Sequence, residues 1–338
     1  MIDLLVGGGG PAGLATALYG ARAGLEVVVV ERRDGVLDKA CGEGMMPHTL
    51  AHLDRLGVAV KGRALRGITY VDGAKRVDSS FRAGSGLGVR RTVLHAALRQ
   101  AAEDADVRFV HGEVGELSQD AESVRAGDIR ARYLAAADGL HSPIRAALGL
   151  DRPSAGPRRW GIRRHFQLSP WTDSVEVHWA AGAEAYVTPV ADDCVGVAVL
   201  SSNRGGFDSH FAEFPALEDR LRGCAHGQDR AAGPLRQQAS SRVAGRVLLV
   251  GDAAGYIDAL TGEGMGLAFG AAELLVDCLV TGRTADYDRK WRQLTRRYRL
   301  LTEALVRASA HQSIRTRLVP AAVALPRVFG HAVNQLAY

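Results

Sequence analysis

The residues whose types and spacing could do chemistry begin at the start of the chain, where glycines separate two apolar runs. Residues 2–6 lead into the glycine-rich stretch 8–13. A small-residue run then ends at Gly24, and a second apolar run, 27–30, is followed by Glu31. This order predicts a strand, a tight turn, a helix and a second strand that ends in a carboxylate. A carboxylate at that point can accept hydrogen bonds from both hydroxyls of a ribose.

Within the stretch 8–13 each small residue has its own task. Gly8 permits the tight turn, Gly10 lets backbone N–H groups approach a pyrophosphate, and Gly13 lets the helix pack closely on the strand. Pro11 suits the first helical turn because its missing N–H would be unpaired there anyway. Phosphate charge would lie at the helix N-terminus, where free N–H groups and the helix dipole favour anions. The stretch is therefore predicted to bind an adenine dinucleotide, and a glycine-rich turn without a ligand is the minor alternative.

Three later stretches combine glycine with a carboxylate where a strand or a turn is expected to end. Asp138 comes shortly after the strand-like run 129–135, and Asp252 comes shortly after the buried-strand run 246–250. A strand that ends in an acid before a new helix can place its carboxylate beside the same cofactor. The third stretch, 262–266, can bring backbone N–H groups to a helix N-terminus near a ring carbonyl.

Another glycine-rich stretch lies at 41–47. Farther along the chain, a helix is expected to run from Arg91 through Leu94. Two glycines flank Glu43, so the backbone could approach a flat ring, and a plain surface loop is an equal alternative. For Cys41 two interpretations also stay open: a contact with the cofactor ring, and a small apolar residue in the packing.

The order of these runs predicts an α/β protein built from several segments. Residues 1–158 and 241–282 are assigned to a nucleotide-binding domain in two parts. Residues 159–240 are assigned mainly to an antiparallel substrate domain, because four strand-like runs follow one another there without helices. Segment 60–90 is a further candidate for the substrate domain, and residues 283–338 are assigned to a C-terminal helical region. The candidates for the substrate pocket are His165, His178 and Tyr186.

Composition excludes several classes of protein. A hydrophobic fraction of 47% and a charged fraction of 23% are ordinary for a soluble globular chain of 338 residues. The four cysteines are far apart and form no CxxC pair, which argues against a disulfide framework and a metal site and favours a reducing cytoplasm. No apolar run reaches the roughly 18 residues of a membrane span, and no signal peptide is expected.

Positive charge is concentrated near the C-terminus. Residues 287–338 hold ten basic residues against two acidic ones, whereas the whole chain has a net charge of +5. An apolar stripe at helical spacing in this region consists of Trp291, Leu294, Tyr298, Leu301 and Leu305. It predicts a helix packed on the nucleotide-binding domain with a solvated basic side, and contact with an anionic membrane or an acidic carrier is the alternative. Nucleic acid is not expected as a partner, because no aromatic platform accompanies the charge.

Four motifs taken together resemble those of a known enzyme family. They are GGGPAG at 8–13, the helix that carries Arg91, ADG at 137–139 and GDAAG at 251–255. The set is similar to FAD-dependent oxidoreductases of the para-hydroxybenzoate hydroxylase superfamily, and CGEGMMP and TGEGM look most like its geranylgeranyl reductase branch. The resemblance implies an α/β fold, with a Rossmann-like FAD-binding domain of the GR2 type, an inserted antiparallel β-sheet substrate domain and C-terminal helices.

The resemblance also implies roles for individual residues. Arg91 would reach toward the pyrophosphate or ribitol of FAD, and Asp252 would bind the ribitol chain. Asp138 would lie near the pyrophosphate, in a motif that also serves NAD(P)H, and the antiparallel sheet would cover the isoalloxazine ring. The complete set of residues predicted to bind the cofactor is Gly8, Gly10, Pro11, Ala12, Gly13, Glu31, Arg32, Cys41, Gly42, Arg91, Asp138, Gly139, Gly251, Asp252, Gly262, Gly264 and Met265.

Within this superfamily the expected activity is that of an NAD(P)H-dependent monooxygenase acting on a lipophilic or aromatic, polyketide-like small molecule of secondary metabolism. This preference rests on how common the activity is among similar enzymes and on no particular residue. One alternative is a geranylgeranyl reductase-like enzyme that reduces carbon–carbon double bonds, and another is a non-enzymatic flavin electron carrier. Halogenation is disfavoured because the Trp-x-Trp-x-Ile-Pro signature is absent at Trp160. No catalytic acid or base and no oligomeric state is assigned.

Overall fold

Strand-like and helical patterns of the sequence become four sheets and ten α-helices in the computed structural model, which describes residues 1–336. The strands of the first half are β1 (Ile2–Gly7), β2 (Val27–Glu31), β3 (Gly44–Met45), β4 (Arg63–Leu65), β5 (Gly67–Asp72), β6 (Lys75–Ser80), β7 (Gly86–Gly88), β8 (Arg108–His111), β9 (Leu117–Gln119), β10 (Val124–Ala126), β11 (Ile129–Ala136) and β12 (Asp151–Arg152). The later strands are β13 (Trp160–Gln167), β14 (Ser174–Trp179), β15 (Ala183–Ala191), β16 (Cys194–Ser201), β17 (Arg230–Ala232), β18 (Gln238–Ala239), β19 (Val243–Ala244) and β20 (Val247–Leu249).

The helices cover the sheets and close the C-terminal end of the fold. They are α1 (Pro11–Arg22), α2 (Pro47–Arg55), α3 (Arg91–Asp104), α4 (Pro143–Ala147), α5 (Phe207–Phe211), α6 (Pro215–Leu221), α7 (Gly264–Val280), α8 (Tyr287–Ala310), α9 (Gln312–Ala324) and α10 (Pro326–Leu336). Short 3-10 turns lie at Gly251–Ala254 and Thr284–Asp286.

The first sheet places the nucleotide-binding motifs at one edge. Its strand order is β19-β20-β11-β1-β2-β8, and β1 pairs in parallel with both neighbours, so that Val6 lies opposite Val29 and Ala135. The chain first moves outward from β1 to β2 and β8 and then crosses to β11 on the other side. Ligands of such sheets bind beyond the carboxyl ends of the strands at this reversal. The ends of β1, β2, β11 and β20 are the places where the sequence carries its glycines and acids.

Apolar runs form these strands because both faces of the sheet are covered. Leu4, Val29 and Leu134 are fully buried, and α1 packs against both α3 and α7. Parallel strands buried on both faces are rich in valine and leucine for this reason. On the same sheet, β10 pairs antiparallel with β11, and β9 pairs antiparallel with β10.

The second large sheet has seven strands in the order β17-β13-β16-β15-β14-β5-β6. Its four central strands, β13 to β16, form at the four strand-like runs of the sequence, and β5 and β6 from segment 60–90 join at β14. One face, with Val187 and Val197, packs under α5 and α6. The opposite face, with Trp179 and Tyr186, packs toward the C-terminal helices and toward residue Leu260.

The C-terminal helices differ from the sequence prediction in two respects. The buried face of α8 carries Trp291, Thr295, Tyr298, Thr302 and Val306, whereas Leu294 and Leu301 are 42% and 37% exposed. At about 100° per residue, Leu294 and Leu301 lie on one side of Trp291 around the helix and Thr295 and Thr302 lie on the other, and the buried face is centred on the threonine side. Threonine can replace them there, because the Thr295 hydroxyl donates to the Trp291 carbonyl at 3.0 Å. In addition, α9 and α10 pack on β6 of the second sheet.

Candidate functional site

The glycine turn after β1 is closed against the protein on one side and open on the other. Gly8 has a φ of +109°, and a Cβ there would lie 2.5 Å from the Ala137 carbonyl oxygen. A Cβ on Gly13 would lie 1.9 Å from the Gly8 carbonyl oxygen, so neither position accepts a side chain. A Cβ on Gly10 would meet no atom within 4 Å. The free space therefore lies at the N-terminus of α1, where the residues after Pro11, Ala12 and Gly13, offer backbone N–H groups to an anion.

Glu31 lies at the end of β2 and is tied to this turn. Its Oε2 accepts a hydrogen bond from the Gly9 N–H at 2.8 Å, and its Oε1 accepts one from the Arg33 Nε at 3.0 Å. Burial raises the pKa of the Glu31 carboxyl, but the hydrogen bonds from Arg33 and Gly9 outweigh that effect and lower it overall. The carboxylate is thus ionised, and its remaining lone pairs can accept hydroxyl groups.

Arg32, which the sequence analysis assigns to the cofactor site, lies apart from Glu31 in the structure. Its side chain is exposed and forms a 3.0 Å salt bridge with Glu113, away from the glycine turn. The next residue, Arg33, contacts Glu31 in its place. Adjacent residues at the end of a strand point to opposite sides, so the sequence position alone did not decide which arginine faces the cofactor.

A histidine that the sequence analysis did not single out supports the glycine turn. His95 of α3 is 2% exposed, and its Nδ1 accepts a hydrogen bond from the Leu37 N–H at 3.3 Å. The Nε2 therefore carries the proton and donates to the Gly9 carbonyl at 2.9 Å. Burial lowers the pKa of His95, which keeps the ring neutral. Its position on the buried face of an amphipathic helix was the available signal.

The acids at the ends of β11 and β20 approach the same turn. A Cβ on Gly251 would lie 2.6 Å from the Ala12 Cβ, so the turn that carries Asp252 rests directly on the start of α1. The Oδ2 of Asp138 accepts the Ile144 N–H at 2.9 Å, while its buried Oδ1 has no hydrogen-bond partner. Burial raises the pKa of both aspartates.

Two cations, Lys39 and Arg91, lie close enough to Asp252 for their charges to act on its carboxyl group. The side chains of Lys39 and Asp252 can be reached by solvent, but protein atoms surround both, which lowers the pKa of Lys39 and raises that of Asp252. This is expected for residues on the walls of a cleft. The Lys39 Nζ reaches to 3.3 Å from the position of a Cβ on Gly139. The Nε of Arg91 is buried without a hydrogen-bond partner. Unpaired Arg91 Nε and Asp138 Oδ1 in one cleft, together with the open glycine turn, fit an anionic dinucleotide such as FAD.

The stretch around Cys41 forms the wall between the two sheets. Glu43 has a φ of +59°, and its Oε1 accepts the N–H of Arg91 at 2.7 Å. Its Oε2 accepts a hydrogen bond from the His165 Nε2 at 2.6 Å, and the Arg163 guanidinium donates to the other ring nitrogen at 2.9 Å. Burial raises the pKa of the Cys41 thiol, so its sulfur stays protonated. A Cβ on Gly42 would meet no atom within 4 Å, which leaves the backbone of this wall open to the cleft.

Residues 262–266 form the opposite wall, at the start of α7. Gly262 has a φ of +71°, and a Cβ there would lie 3.6 Å from the methyl group of Met46. A Cβ on Gly264 would lie 3.4 Å from the Tyr256 ring, while Met265 is half-buried against the core of the first sheet. Glu263 is 5% exposed, its Oε1 has no hydrogen-bond partner, and burial raises its pKa to about 8.

The three substrate-pocket candidates are not brought together. Tyr186 lies on the face of the second sheet toward the cleft, where its hydroxyl donates to the Leu260 carbonyl at 2.9 Å. His165 lies on this face behind Glu43 and not in an open pocket. His178 points to the other face, where its Nε2 lies 3.1 Å from the carboxylate of Glu176. Side chains alternate along a strand, so the even-numbered His178 of β14 faces away when Val177 faces the cleft.

Comparison with known proteins agrees with this geometry. A family model described as FAD binding domain matches residues 1–281. The chain is 31% identical over 320 residues to the menaquinone reductase of Mycobacterium tuberculosis, covering 81% of this chain and 76% of that protein. It is 28% identical over 325 residues to the chloroplastic geranylgeranyl diphosphate reductase of Oryza sativa subsp. japonica, with 83% and 67% covered.

Two further comparisons concern part of the chain and the fold. The para-nitrophenol 4-monooxygenase of Pseudomonas sp. (strain WBC-3) is 32% identical over 181 residues, which cover 44% of this chain and 42% of that protein. The crystal structure of a flavoprotein/dehydrogenase from Cytophaga hutchinsonii superposes with a TM-score of 0.78 at 19% identity, over 99% of this chain and 97% of that one. The second similarity shows a shared fold.

Proposed function

The chain belongs to the FAD-binding domain family and is an FAD-dependent oxidoreductase, and we propose that it reduces a carbon–carbon double bond of a polyprenyl-type lipophilic substrate. The observation that carries the proposal is the 31% identity to a menaquinone reductase, which extends over 81% of this chain. The similarity thus includes the second sheet as well as the FAD-binding motifs. The monooxygenase similarity covers only 44% of the chain.

The residues of the cleft fit FAD, which would supply hydride transfer to and from its ring when bound. The turn at Gly10 and the start of α1 would hold the pyrophosphate, because unpaired N–H groups and the helix dipole favour anions there. Lys39 and Arg91 add positive charge at the same place, and the ionised Glu31 would accept the ribose hydroxyls. Asp252 would bind the ribitol chain.

Reduction of a double bond also needs a proton donor. The half-buried thiol of Cys41 lies in the stretch that forms one wall of the cleft, and it keeps its proton because burial raises its pKa. The Glu43 N–H donates to the Cys41 sulfur at 3.4 Å, which orients the thiol. We assign Cys41 as the proton donor to the substrate, and a core-packing role for this residue is the alternative that a variant must exclude.

The face of the second sheet that looks toward the cleft is suited to an apolar substrate. The Tyr70 ring lies 5.5 Å from the Trp179 ring and 4.7 Å from the Phe329 ring, centre to centre. These rings form one apolar cluster with Tyr186 and Leu260 at the cleft. An aromatic and aliphatic core beside the cleft favours an isoprenoid chain over a charged substrate. We further propose NAD(P)H as the electron donor and, from the four free cysteines, a cytoplasmic location.

The proposal is tested by mixing the anaerobically reduced, FAD-loaded protein with a menaquinone or with geranylgeranyl diphosphate. Flavin reoxidation together with a product whose prenyl chain has gained two hydrogens supports double-bond reduction, whereas reduction of the quinone ring alone to the quinol would contradict it. Cys41→Ala is expected to slow this step by roughly a hundredfold without loss of bound FAD. The matched control is Cys224→Ala, a half-buried cysteine packed under the other face of the sheet. Equal rates for both variants would remove Cys41 from the chemistry.

A second candidate function is oxygenation, which the 32% identity to a nitrophenol monooxygenase favours. The substrate would then be a phenolic, polyketide-like molecule, and reduced protein would consume oxygen in its presence to give a hydroxylated product. If neither anaerobic isoprenoid reduction nor oxygen-dependent hydroxylation occurs, the double-bond proposal fails and a flavin electron carrier becomes the better description.

A further inference from the structure

The turn between α9 and α10 exposes apolar side chains that the fold leaves uncovered. Val323, Leu325 and Val328 are 42%, 58% and 62% exposed, respectively. They follow one another within six positions at the point where α9 ends and Pro326 begins α10. Side chains of this kind are usually buried, so three exposed ones within six positions at one helix junction indicate contact with an apolar phase or partner.

The charge around this turn has a single sign. After Glu303 the sequence contains no Asp or Glu, whereas Arg317 and Arg327 are both exposed beside the turn. Arg317 falls on the same face of α9 as Ala324, because the two positions are seven residues apart. We call Val323, Leu325 and Val328, with Arg317 and Arg327, the corner patch.

The helices that carry the corner patch are fixed to the substrate sheet. On their inner side, Val319 and Phe329 are buried in the apolar cluster that includes Tyr70 and Trp179. The buried Arg315 of α9 forms a 2.6 Å salt bridge with Glu184 of β15 and donates to the Ala183 carbonyl at 2.5 Å. The corner patch therefore has a set orientation relative to the face that we assign to the substrate.

We propose that the corner patch docks on the surface of an anionic lipid bilayer, with the apolar side chains in the headgroup region and the arginines against lipid phosphates. A bilayer matches both properties, since it offers an apolar interior boundary and negative charge in one plane. A second copy of the chain is a poorer occupant, because a symmetric contact would bring Arg317 and Arg327 of both copies together. No helix within residues 1–336 is long and apolar enough to cross a membrane, so the contact is peripheral.

Docking at this point would place the inner apolar cluster next to the source of a lipophilic substrate. The link to that substrate rests on the proposed function, whereas the docking itself does not. Binding is therefore measured without turnover. Failure to bind vesicles would overturn the docking proposal and leave double-bond reduction untouched, and failure to reduce isoprenoids would do the reverse.

The test is co-sedimentation of the full FAD-loaded chain with phosphatidylcholine vesicles that contain or lack phosphatidylglycerol. Wild-type protein is expected to bind the anionic vesicles only. Arg317→Gln and Arg327→Gln should each weaken binding about fivefold, from the typical attraction of one cationic side chain to an anionic leaflet. Leu325→Glu combined with Val328→Glu should abolish it.

The matched control is Val280→Glu, which changes a 56% exposed valine at the end of α7 and should bind like wild type. A thermal unfolding curve unchanged in the corner variants shows that they remain folded. Equal binding to neutral and anionic vesicles, full binding by the double glutamate variant, or concentration-dependent dimerisation that this variant removes would each overturn the proposal.

Discussion

Replacing the buried Glu263 by glutamine should stabilise the protein in a strongly pH-dependent way. Glu263 is 5% exposed, its Oε1 has no hydrogen-bond partner, and burial raises its pKa to about 8 from 4.5, with only partial opposition from the charge of Arg297. The unfolded chain gives up this proton near its ordinary pKa, whereas the folded chain keeps it until about pH 8. Folding stability is therefore lost as the pH rises between these two values.

The size of the effect follows from the two pKa values. Each pH unit above 4.5 costs about 1.4 kcal/mol of unfolding free energy until the folded pKa is reached. At neutral pH the sum is about 3 kcal/mol, which is the expected advantage of Glu263→Gln over wild type. The advantage should shrink toward zero at acid pH, because both side chains are then uncharged and of similar shape. Because glutamine cannot ionise, the unfolding free energy of the Glu263→Gln protein lacks this part of the pH dependence.

The assay is urea unfolding of wild type and variant with saturating FAD at about pH 5, 7 and 8. Glu122→Gln changes an exposed glutamate and is the control, with a curve that should superimpose on that of wild type. A difference in unfolding free energy between wild type and Glu263→Gln that stays the same at all three pH values would show that Glu263 is ionised in the folded protein. That result would refute the assignment of a buried, protonated carboxyl at the start of α7.

Three other perturbations test the architecture of the cleft and its supports. Gly10→Ala should leave the unfolding midpoint unchanged, because its Cβ meets no protein atom within 4 Å, but should weaken FAD binding at least tenfold by titration. The control Gly206→Ala should change neither the midpoint nor FAD binding. His95→Ala should lower the unfolding free energy by about 2 kcal/mol in urea, because two hydrogen bonds at the glycine turn are lost. Arg315→Ala should cost about 3 to 5 kcal/mol and expose α9 and α10 to limited proteolysis, because Glu184 loses one of its two buried arginine partners; unchanged protease resistance would contradict that role.

Local sequence was sufficient where backbone sterics and short-range order decide the structure. The turn at Gly8 and Gly13 admits no side chain, the start of α1 follows directly, and Glu31 ends the next strand, so the nucleotide site could be predicted from one stretch. The resemblance to FAD-dependent oxidoreductases was confirmed by the family match over residues 1–281. The reaction could not be predicted in the same way, because oxidation and reduction use the same cofactor motifs.

Contacts between distant residues could not be predicted, since no short pattern encodes them. Glu43 and His165 are 122 positions apart and meet only because the stretch 41–47 packs against β13. His178 directly follows the cleft-facing Val177 in β14, and which of these two side chains faces the cleft was undecided until both faces of the sheet were covered.

The sequence by itself determined the cofactor class and the kinds of element, because glycine sterics, helix dipoles and hydrophobic periodicity act over a few residues. Only the tertiary structure decided which of two neighbouring side chains makes the inward contact. Arg33, instead of Arg32, contacts Glu31, and Thr295, instead of Leu294, is buried on α8. The same holds for the corner patch, since exposure of Leu325 depends on what packs over α9 and α10. Side-chain direction relative to distant elements is a property of the packed chain, and burial follows from it.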